Sequence, residues 1–248
     1  MGHINENGCS SYTMFEERIP VWLGEGDPPK VKEFFGAPHY RFMNKFYVSN
    51  AELDRLSMDE VISLCRARDK YSASIGSPND KVKAIFRSVT EGLSPLAVVE
   101  IGAGSRPLYD GKATSFMYLV LDADFESLSD CDGEKAEFSG DSSSVDVAGG
   151  SIDLILAVFV FQFEVYESQV KEVSRILSKE GVLLANVYRR TQKSRLQLID
   201  VFRRNGLTVR AEADPQNLCR DHEYWIISKC EAAEERVLKL LTNSIQRV

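Results

Sequence analysis

Two glycines directly after an apolar run are the residues of this sequence that first suggest a ligand site. The stretch VVEIGAGSRP, residues 98–107, places Gly102 and Gly104 where a buried strand would end. In an open α/β sheet, ligands lie beyond the carboxyl ends of the central strands, so this glycine turn is an expected contact. A dinucleotide fingerprint requires a third glycine where Pro107 stands, and pyrophosphate needs a close helix amino terminus. These departures argue against a nicotinamide-dependent oxidoreductase, which nevertheless stays an alternative.

The turn resembles motif I of the class I S-adenosylmethionine-dependent methyltransferases, an acidic residue followed by G-x-G. The matching residues are Glu100, Gly102, Ala103 and Gly104. Four further segments follow in the family's order, between about residues 82 and 229: LDADFESL, FSGDSSS, SIDLILAVFVFQF and SRILSKEGVLLANV. The resemblance implies a Rossmann-like fold with S-adenosylmethionine as the cofactor and S-adenosylhomocysteine as the product.

The resemblance also implies which residues bind the cofactor. Asp122, with Ala123 beside it, lies where the family's acidic residue holds both ribose hydroxyls, and Asp124 is the alternative for this role. Asp141 and the backbone of Ser142 lie where the family accepts from the adenine amino group, although Asp141 is equally consistent with a turn residue.

Three more positions are expected near the cofactor by the same resemblance. Ala157 falls in the fourth-strand motif, and Tyr71 lies where related enzymes bring a residue of the cap over the cofactor. Arg106 lies in the glycine turn, where its guanidinium could hold the methionine carboxylate or a carboxylate of the substrate.

The sequence departs from the family at two places. Arg106 replaces a third glycine, and only residues 105–116 separate Gly104 from the next strand, so the usual first helix is expected to be short or replaced by a loop. At the end of the fourth strand, Phe161-Gln162-Phe163 stands where relatives show His-His or Asn-Pro-Pro-Tyr. In relatives, Asn-Pro-Pro-Tyr clamps a planar nucleobase or amide, and its absence here disfavours nucleic acid as the acceptor.

No catalytic base is identified from the sequence. The candidates that could assist are Tyr188, Gln162 and His39, with Tyr166 as a further one. His39 and His222 are otherwise expected to be surface histidines. Methyl transfer needs no strong base, because the cofactor carries a good leaving group and alignment can supply much of the rate.

Hydrophobic periodicity predicts the elements that position these residues. Six strands are expected, several apolar on consecutive positions as in a sheet covered on both faces: 96–101, 117–122, 152–161, 182–188, 207–212 and 223–229. Helices are expected from Ser77, over 166–177 and 194–204, and at the tail. The prediction is a doubly wound, mainly parallel, seven-stranded Rossmann-like sheet over 82–248.

Residues 1–81 show no alternating strand pattern and many aromatics. Two capping boxes, Ser49 with Glu52 and Ser57 with Glu60, predict short helices. We therefore expect an aromatic-rich helical cap that closes over the substrate.

Composition limits the function further. The net charge of −7 disfavours a nucleic-acid partner. The longest apolar run, Leu154–Phe161, is too short to cross a bilayer, and no secretory signal is evident, so a cytoplasmic protein without a membrane partner is expected. The five cysteines form no CxxC pair, and no metal site is expected.

Together these features predict a methyltransferase that acts on an oxygen or nitrogen atom of a small molecule, with secondary metabolites as one class of acceptor. The alternative is a family member without catalysis that binds S-adenosylmethionine or a partner as a scaffold. The oligomeric state is left open.

Overall fold

The computed structural model describes residues 11–72, 77–109, 115–219 and 221–247. The chain divides into two compact units, one ending at residue 74 and the other beginning at residue 75. Among the helices of the described residues, none has the length and apolar character needed to cross a membrane.

The amino-terminal unit is built around a five-stranded antiparallel sheet with the order β1-β2-β5-β4-β3. Its elements are β1 (Tyr12–Phe15), β2 (Ile19–Trp22), β3 (Val31–Phe34), β4 (Ala37–Phe42), β5 (Phe46–Val48), a 3₁₀ turn (Leu53–Arg55) and α1 (Met58–Tyr71). The prediction that residues 1–81 form a helical cap is therefore wrong for residues 12–48. The sequence pattern did not predict these strands, because each has only three to six residues, too few to show a clear alternation.

One of the two predicted capping boxes starts a helix. Ser57 precedes α1 and its hydroxyl accepts from the amide of Glu60 at 3.3 Å. The carboxylate of Glu60 does not return to Ser57; it accepts from the amide and the hydroxyl of Ser49 at 2.7 and 2.6 Å. The box predicted at Ser49 yields only the 3₁₀ turn, because Asn50 takes the amide of Glu52.

The carboxyl-terminal unit contains a seven-stranded sheet with the order β11-β12-β10-β9-β6-β7-β8. Its strands are β6 (Ala97–Ile101), β7 (Met117–Asp122), β8 (Glu134–Glu137), β9 (Ile152–Ala157), β10 (Leu177–Val187), β11 (Thr208–Ala213) and β12 (Glu223–Ser228). The five strands β6 to β10 are parallel, whereas β12 is antiparallel to both of its neighbours. From β6 the chain continues through β7 to β8 on one side, and it then returns to form β9 on the other side of β6. The switch point therefore lies between β6 and β9.

Two apolar layers cover this sheet, because successive side chains of a strand point to opposite faces. Val99 and Ile101 of β6 join a core with α3 (Glu167–Ile176) and α4 (Gln192–Arg204). Val98 joins the other core with α2 (Ser77–Leu93) and α5 (Glu231–Arg247). The predicted doubly wound, mainly parallel arrangement is confirmed, and the consecutive apolar positions of β6 follow from burial on both faces.

Two strand predictions need correction. The fourth-strand motif was expected to remain extended to residue 161, but β9 ends at Ala157 and Phe159 adopts a φ of +61°. The edge strand β8, with the sequence EKAE, was not predicted, since it is short and polar and mostly solvent-accessible. The described residues from 102 to 109 contain no helix, as the shortened connection predicts.

Candidate functional site

The glycine turn after β6 depends on its two glycines for different reasons. Both have a positive φ, +69° at Gly102 and +55° at Gly104, a conformation that other residues adopt only with strain. A Cβ atom at Gly102 would lie 2.3 Å from Cγ2 of Val160, whereas one at Gly104 would meet nothing within 4 Å. Gly102 thus permits the close approach of the segment after β9, while Gly104 faces open space.

The carboxylate of Asp122 joins the loops at the ends of β6 and β7. Its Oδ2 accepts from the amide of Gly104 at 2.8 Å, and its Oδ1 accepts from the amide of Asp124, also at 2.8 Å. Burial raises the pKa of Asp122, and the amide donors act against this shift. Each carboxylate oxygen has about two lone-pair sites, so both oxygens can accept one more donor from a ligand. Asp124 is itself buried, with its amide committed to Asp122.

Glu100, in contrast, is buried, and its carboxyl group is hydrogen-bonded to other residues of the protein. Its Oε2 accepts from the amide of Leu108 at 2.8 Å and from the hydroxyl of Tyr118. Burial raises the pKa of Glu100, with the two donors opposing the shift. The observed role of this carboxyl is to anchor the loop that leaves the glycine turn; its expected contact with a cofactor stays a prediction.

Two basic residues of α2 hold the same loop from the helix side, and the sequence analysis did not identify them. Lys83 donates from Nζ to the carbonyl of Arg106 at 2.7 Å, and Arg87 donates from Nε to the carbonyl of Leu108 at 3.0 Å. The only sequence feature that could have identified them is their i, i+4 spacing, which puts both on one helix face. The side chain of Arg106 is exposed.

The remaining sheet-borne candidates lie at the same edge of the sheet. Ala157 is the last residue of β9 and pairs with Ile101, directly before the glycine turn. Ala123 follows Asp122 at the end of β7. The loop containing Asp141 and Ser142 follows β8, with the amide of Ser139 donating to the carbonyl of Ser142 at 2.8 Å.

Three aromatic and amide candidates lie in the loops that follow β9 and β10. Gln162 is fully buried and donates from Nε2 to the carbonyl of Phe159 at 3.1 Å, while its Oε1 has no hydrogen-bond partner in the described structure. The ring of Tyr188 meets that of Phe159 edge-on at 5.6 Å. Tyr166 precedes α3, and its ring packs against Gly140.

Tyr71 and His39 belong to the amino-terminal unit, and their observed contacts lie inside it. The Tyr71 ring lies 6.1 Å from that of Phe15. His39 is buried beside the rings of Phe34 and Phe35, with its Nδ1 3.1 Å from the carbonyl of Ala37. The expectation of a surface histidine is therefore wrong for His39, whose surroundings are aromatic.

His222 is also buried, with 3% of its surface exposed, so the same expectation is wrong there. Its Nδ1 lies 2.7 Å from Oδ2 of Asp214 and its Nε2 lies 3.2 Å from Nδ2 of Asn186. Asp214 and Asn186 were not identified from the sequence, because 28 residues separate them along the chain and neither belongs to a local motif.

No metal-binding cluster of three or more His, Cys, Asp or Glu side chains occurs in the part of the chain that the structure describes.

No protein-family model and no curated protein sequence matches the chain. Solved structures similar to it include S-adenosylmethionine-dependent methyltransferases from three bacteria. One from Thermotoga maritima, described as a possible histamine N-methyltransferase, is 14% identical, with 67% of this chain and 98% of that chain covered and a TM-score of 0.47. A TehB-like enzyme from Corynebacterium glutamicum is 11% identical, with 69% and 97% covered and a TM-score of 0.46. One from Aquifex aeolicus is 14% identical, with 66% and 96% covered and a TM-score of 0.44. Identities this low do not transfer a function between chains, so the geometry of the crevice carries the functional conclusion.

Proposed function

We propose that the crevice at the carboxyl ends of β6, β7 and β9 binds S-adenosylmethionine, and that the chain transfers its methyl group to an oxygen or nitrogen atom of a small molecule. The observation that carries the proposal is the contact between the Asp122 carboxylate and the Gly104 amide beside the open face of Gly104. This arrangement brings a carboxylate, which could accept from ribose hydroxyls, and an unobstructed backbone to one edge of the sheet.

The residues of the crevice fit an adenosine joined to an amino acid. Asp122 retains acceptor capacity for two ribose hydroxyls, and Gly104 leaves room for a ligand against its backbone. The described residues after Gly104, 105–109, run as a turn and not as a helix. A pyrophosphate would require the helix amino terminus that this turn does not supply, whereas S-adenosylmethionine contains no pyrophosphate. The fit therefore favours the sulfonium cofactor over a nicotinamide dinucleotide.

The other predicted residues would complete the binding site. The exposed Arg106 guanidinium would pair with the amino-acid carboxylate, and Asp141 with the Ser142 backbone would bind the adenine.

When bound, S-adenosylmethionine supplies a methyl group on positively charged sulfur, which a nucleophile displaces in line, leaving S-adenosylhomocysteine. The task of the chain is then to align the acceptor and exclude water, and good alignment is worth as much as ~7–11 kcal/mol. Tyr188, whose ring packs on Phe159 after β9, is the side chain that would orient an acceptor, while the buried Gln162 would act through the carbonyl of Phe159.

The proposal is tested by calorimetric titration of the full chain with S-adenosylmethionine, S-adenosylhomocysteine and, separately, NAD and NADPH. We expect saturable binding of the first two and none of the nicotinamide cofactors. Release of S-adenosylhomocysteine with candidate alcohols, phenols and amines would then establish transfer. Saturable binding of a nicotinamide cofactor alone would overturn the proposal, and binding of S-adenosylmethionine without turnover of any acceptor would favour the scaffold alternative.

A further inference from the structure

A buried chain of hydrogen bonds runs from Asp214 to the backbone of Phe159. Asp214 Oδ2 lies 2.7 Å from Nδ1 of His222, and Nε2 of His222 lies 3.2 Å from Nδ2 of Asn186. Oδ1 of Asn186 accepts from the amide of Phe159 at 2.6 Å. The three side chains are between 0% and 6% exposed, so water cannot replace these bonds without a rearrangement.

The backbone at one end fixes the direction of every bond in this chain. The Phe159 amide can only donate, so the oxygen of Asn186 must face it and the NH₂ group must face His222. Nε2 of His222 is then an acceptor, which leaves the proton on Nδ1 for donation to Asp214. Asp214 is held in turn by the amides of Gln216 and Leu218, which donate to its two oxygens at 3.1 and 2.8 Å. The arrangement requires a neutral imidazole.

The segment that contains Phe159, where this series of hydrogen bonds ends, forms a wall of the proposed cofactor crevice. Phe159 has a φ of +61°, an uncommon conformation for a bulky residue that needs support from its surroundings. The next residue, Val160, packs directly onto Gly102 of the glycine turn, and Gln162 holds the carbonyl of Phe159. The support therefore comes from two side chains, Asn186 at the amide of Phe159 and Gln162 at its carbonyl, and Asn186 is the one linked to His222.

We propose that His222 is a positioning residue of the cofactor site, acting through Asn186 to hold the Phe159–Val160 segment against the glycine turn. The inference rests on the proposed function. Losing the acceptor at Nε2 leaves the NH₂ group of Asn186 without its partner; turning the amide around would direct that NH₂ group at the amide of Phe159 and set two donors against each other. Either result weakens the hold on the segment, because an unsatisfied buried donor is costly.

Two substitutions at this position separate the two bonds of the imidazole. Gln in place of His222 carries its terminal amide near the position of Nε2, so its oxygen can accept from Asn186. Asn carries its terminal amide near the position of Nδ1, so it can donate to Asp214 but cannot reach Asn186. Both variants remove the ring and one buried hydrogen bond, and they therefore form a matched pair for stability.

The test compares His222→Gln and His222→Asn in the full chain at pH 7.5. Amide hydrogen exchange of the peptide containing Phe159 and Val160, measured without ligand, should be faster in His222→Asn than in His222→Gln. Calorimetric titration with S-adenosylmethionine should show affinity about tenfold weaker in His222→Asn, the size of a lost buried hydrogen bond, with most of it recovered in His222→Gln.

The outcomes distinguish the inference from the proposed function. Equal exchange of the segment in the two variants, or faster exchange in His222→Asn with no difference in affinity, would overturn the positioning role while leaving cofactor binding intact. Failure of the wild-type chain to bind S-adenosylmethionine would instead overturn the proposed function, and with it the role of His222 at that site.

Discussion

Oδ2 of Asp122 accepts a hydrogen bond from the amide of Gly104 at 2.8 Å, which fixes the loop after β7 to the loop after β6. These two loops begin at adjacent parallel strands, and β9 on the other side of β6 contributes the segment that carries Val160. The crevice at the switch point is therefore defined by three loops whose positions depend on few, identifiable contacts. Each contact can be removed separately, and the consequences differ between stability and ligand binding.

The two glycines of the turn should respond differently to substitution by alanine. Gly102→Ala adds a Cβ 2.3 Å from Val160 and imposes a positive φ, so we expect a loss of roughly 2–4 kcal/mol in the free energy of unfolding. Gly104→Ala imposes only the φ strain, about 1–2 kcal/mol, but its methyl group enters the space proposed for the ligand. Urea unfolding and calorimetric titration with S-adenosylmethionine measure the two effects. Equal destabilisation by both substitutions would contradict the packing of Val160 on Gly102.

Glu100 should make the stability depend on pH in a defined direction. Burial raises its pKa in the folded protein, so the folded state holds the proton more tightly than the unfolded chain does. The resulting stabilisation is present below the unfolded-state pKa of about 4.5 and is lost as the pH rises through the folded-state pKa. Glu100→Gln cannot titrate at this position, so its free energy of unfolding should rise relative to that of the wild type as the pH increases from 4.5 to 8. Parallel urea-unfolding profiles for the two proteins would exclude this role for Glu100.

His222 should act in the opposite direction. Burial is the largest influence and lowers its pKa, although Asp214 and Glu223 act against the shift and Arg195 adds to it. The unfolded chain then binds the proton more readily, so stability is complete above about pH 6.5 and declines as the pH falls below this value. The profile of His222→Gln should be flatter than that of the wild type between pH 7.5 and 5. A decline of equal steepness in both proteins would show that another group is responsible.

Much of the parallel sheet could be predicted from the sequence, because strands buried on both faces leave an unmistakable pattern. β6 and β7 are apolar on consecutive positions and each ends at a turn residue or a carboxylate, so their ends and their chemistry were visible together. The edge strand β8 and the hairpins of the amino-terminal unit left no such pattern. Turns such as that at Phe35 and Gly36, with φ values of +54° and +75°, interrupt the chain before any periodicity develops.

The site could be predicted only where its residues follow strands in sequence. Gly102 and Gly104 follow β6 and Asp122 ends β7, both strands that the pattern identified, so their proximity followed from the parallel arrangement. Asn186 and His222 meet because β10 and β12 are antiparallel neighbours, and this pairing has no local sequence signature. The positive φ of Phe159, which ends β9 early, is imposed by its surroundings in the fold and not by the apolar run itself.

The central claim is that Asp122 serves a ligand in addition to the protein backbone, and a second carboxylate of the sheet offers a matched control. Asp153, at the start of β9, accepts from the amides of Leu96 and Ala97 at 2.9 and 3.2 Å, so it also holds two backbone amides but lies at the opposite edge of the sheet. Alanine at either position therefore removes two comparable hydrogen bonds.

Calorimetric titration of S-adenosylmethionine into Asp122→Ala and Asp153→Ala is the measurement that tests the account most directly. We expect binding weaker by about 1.5–3 kcal/mol in Asp122→Ala, the size of hydrogen bonds to a charged group. The dissociation constant of Asp153→Ala should stay close to that of the wild type. Unchanged affinity in Asp122→Ala, or the same loss in both variants, would contradict a role for this carboxylate in holding the cofactor.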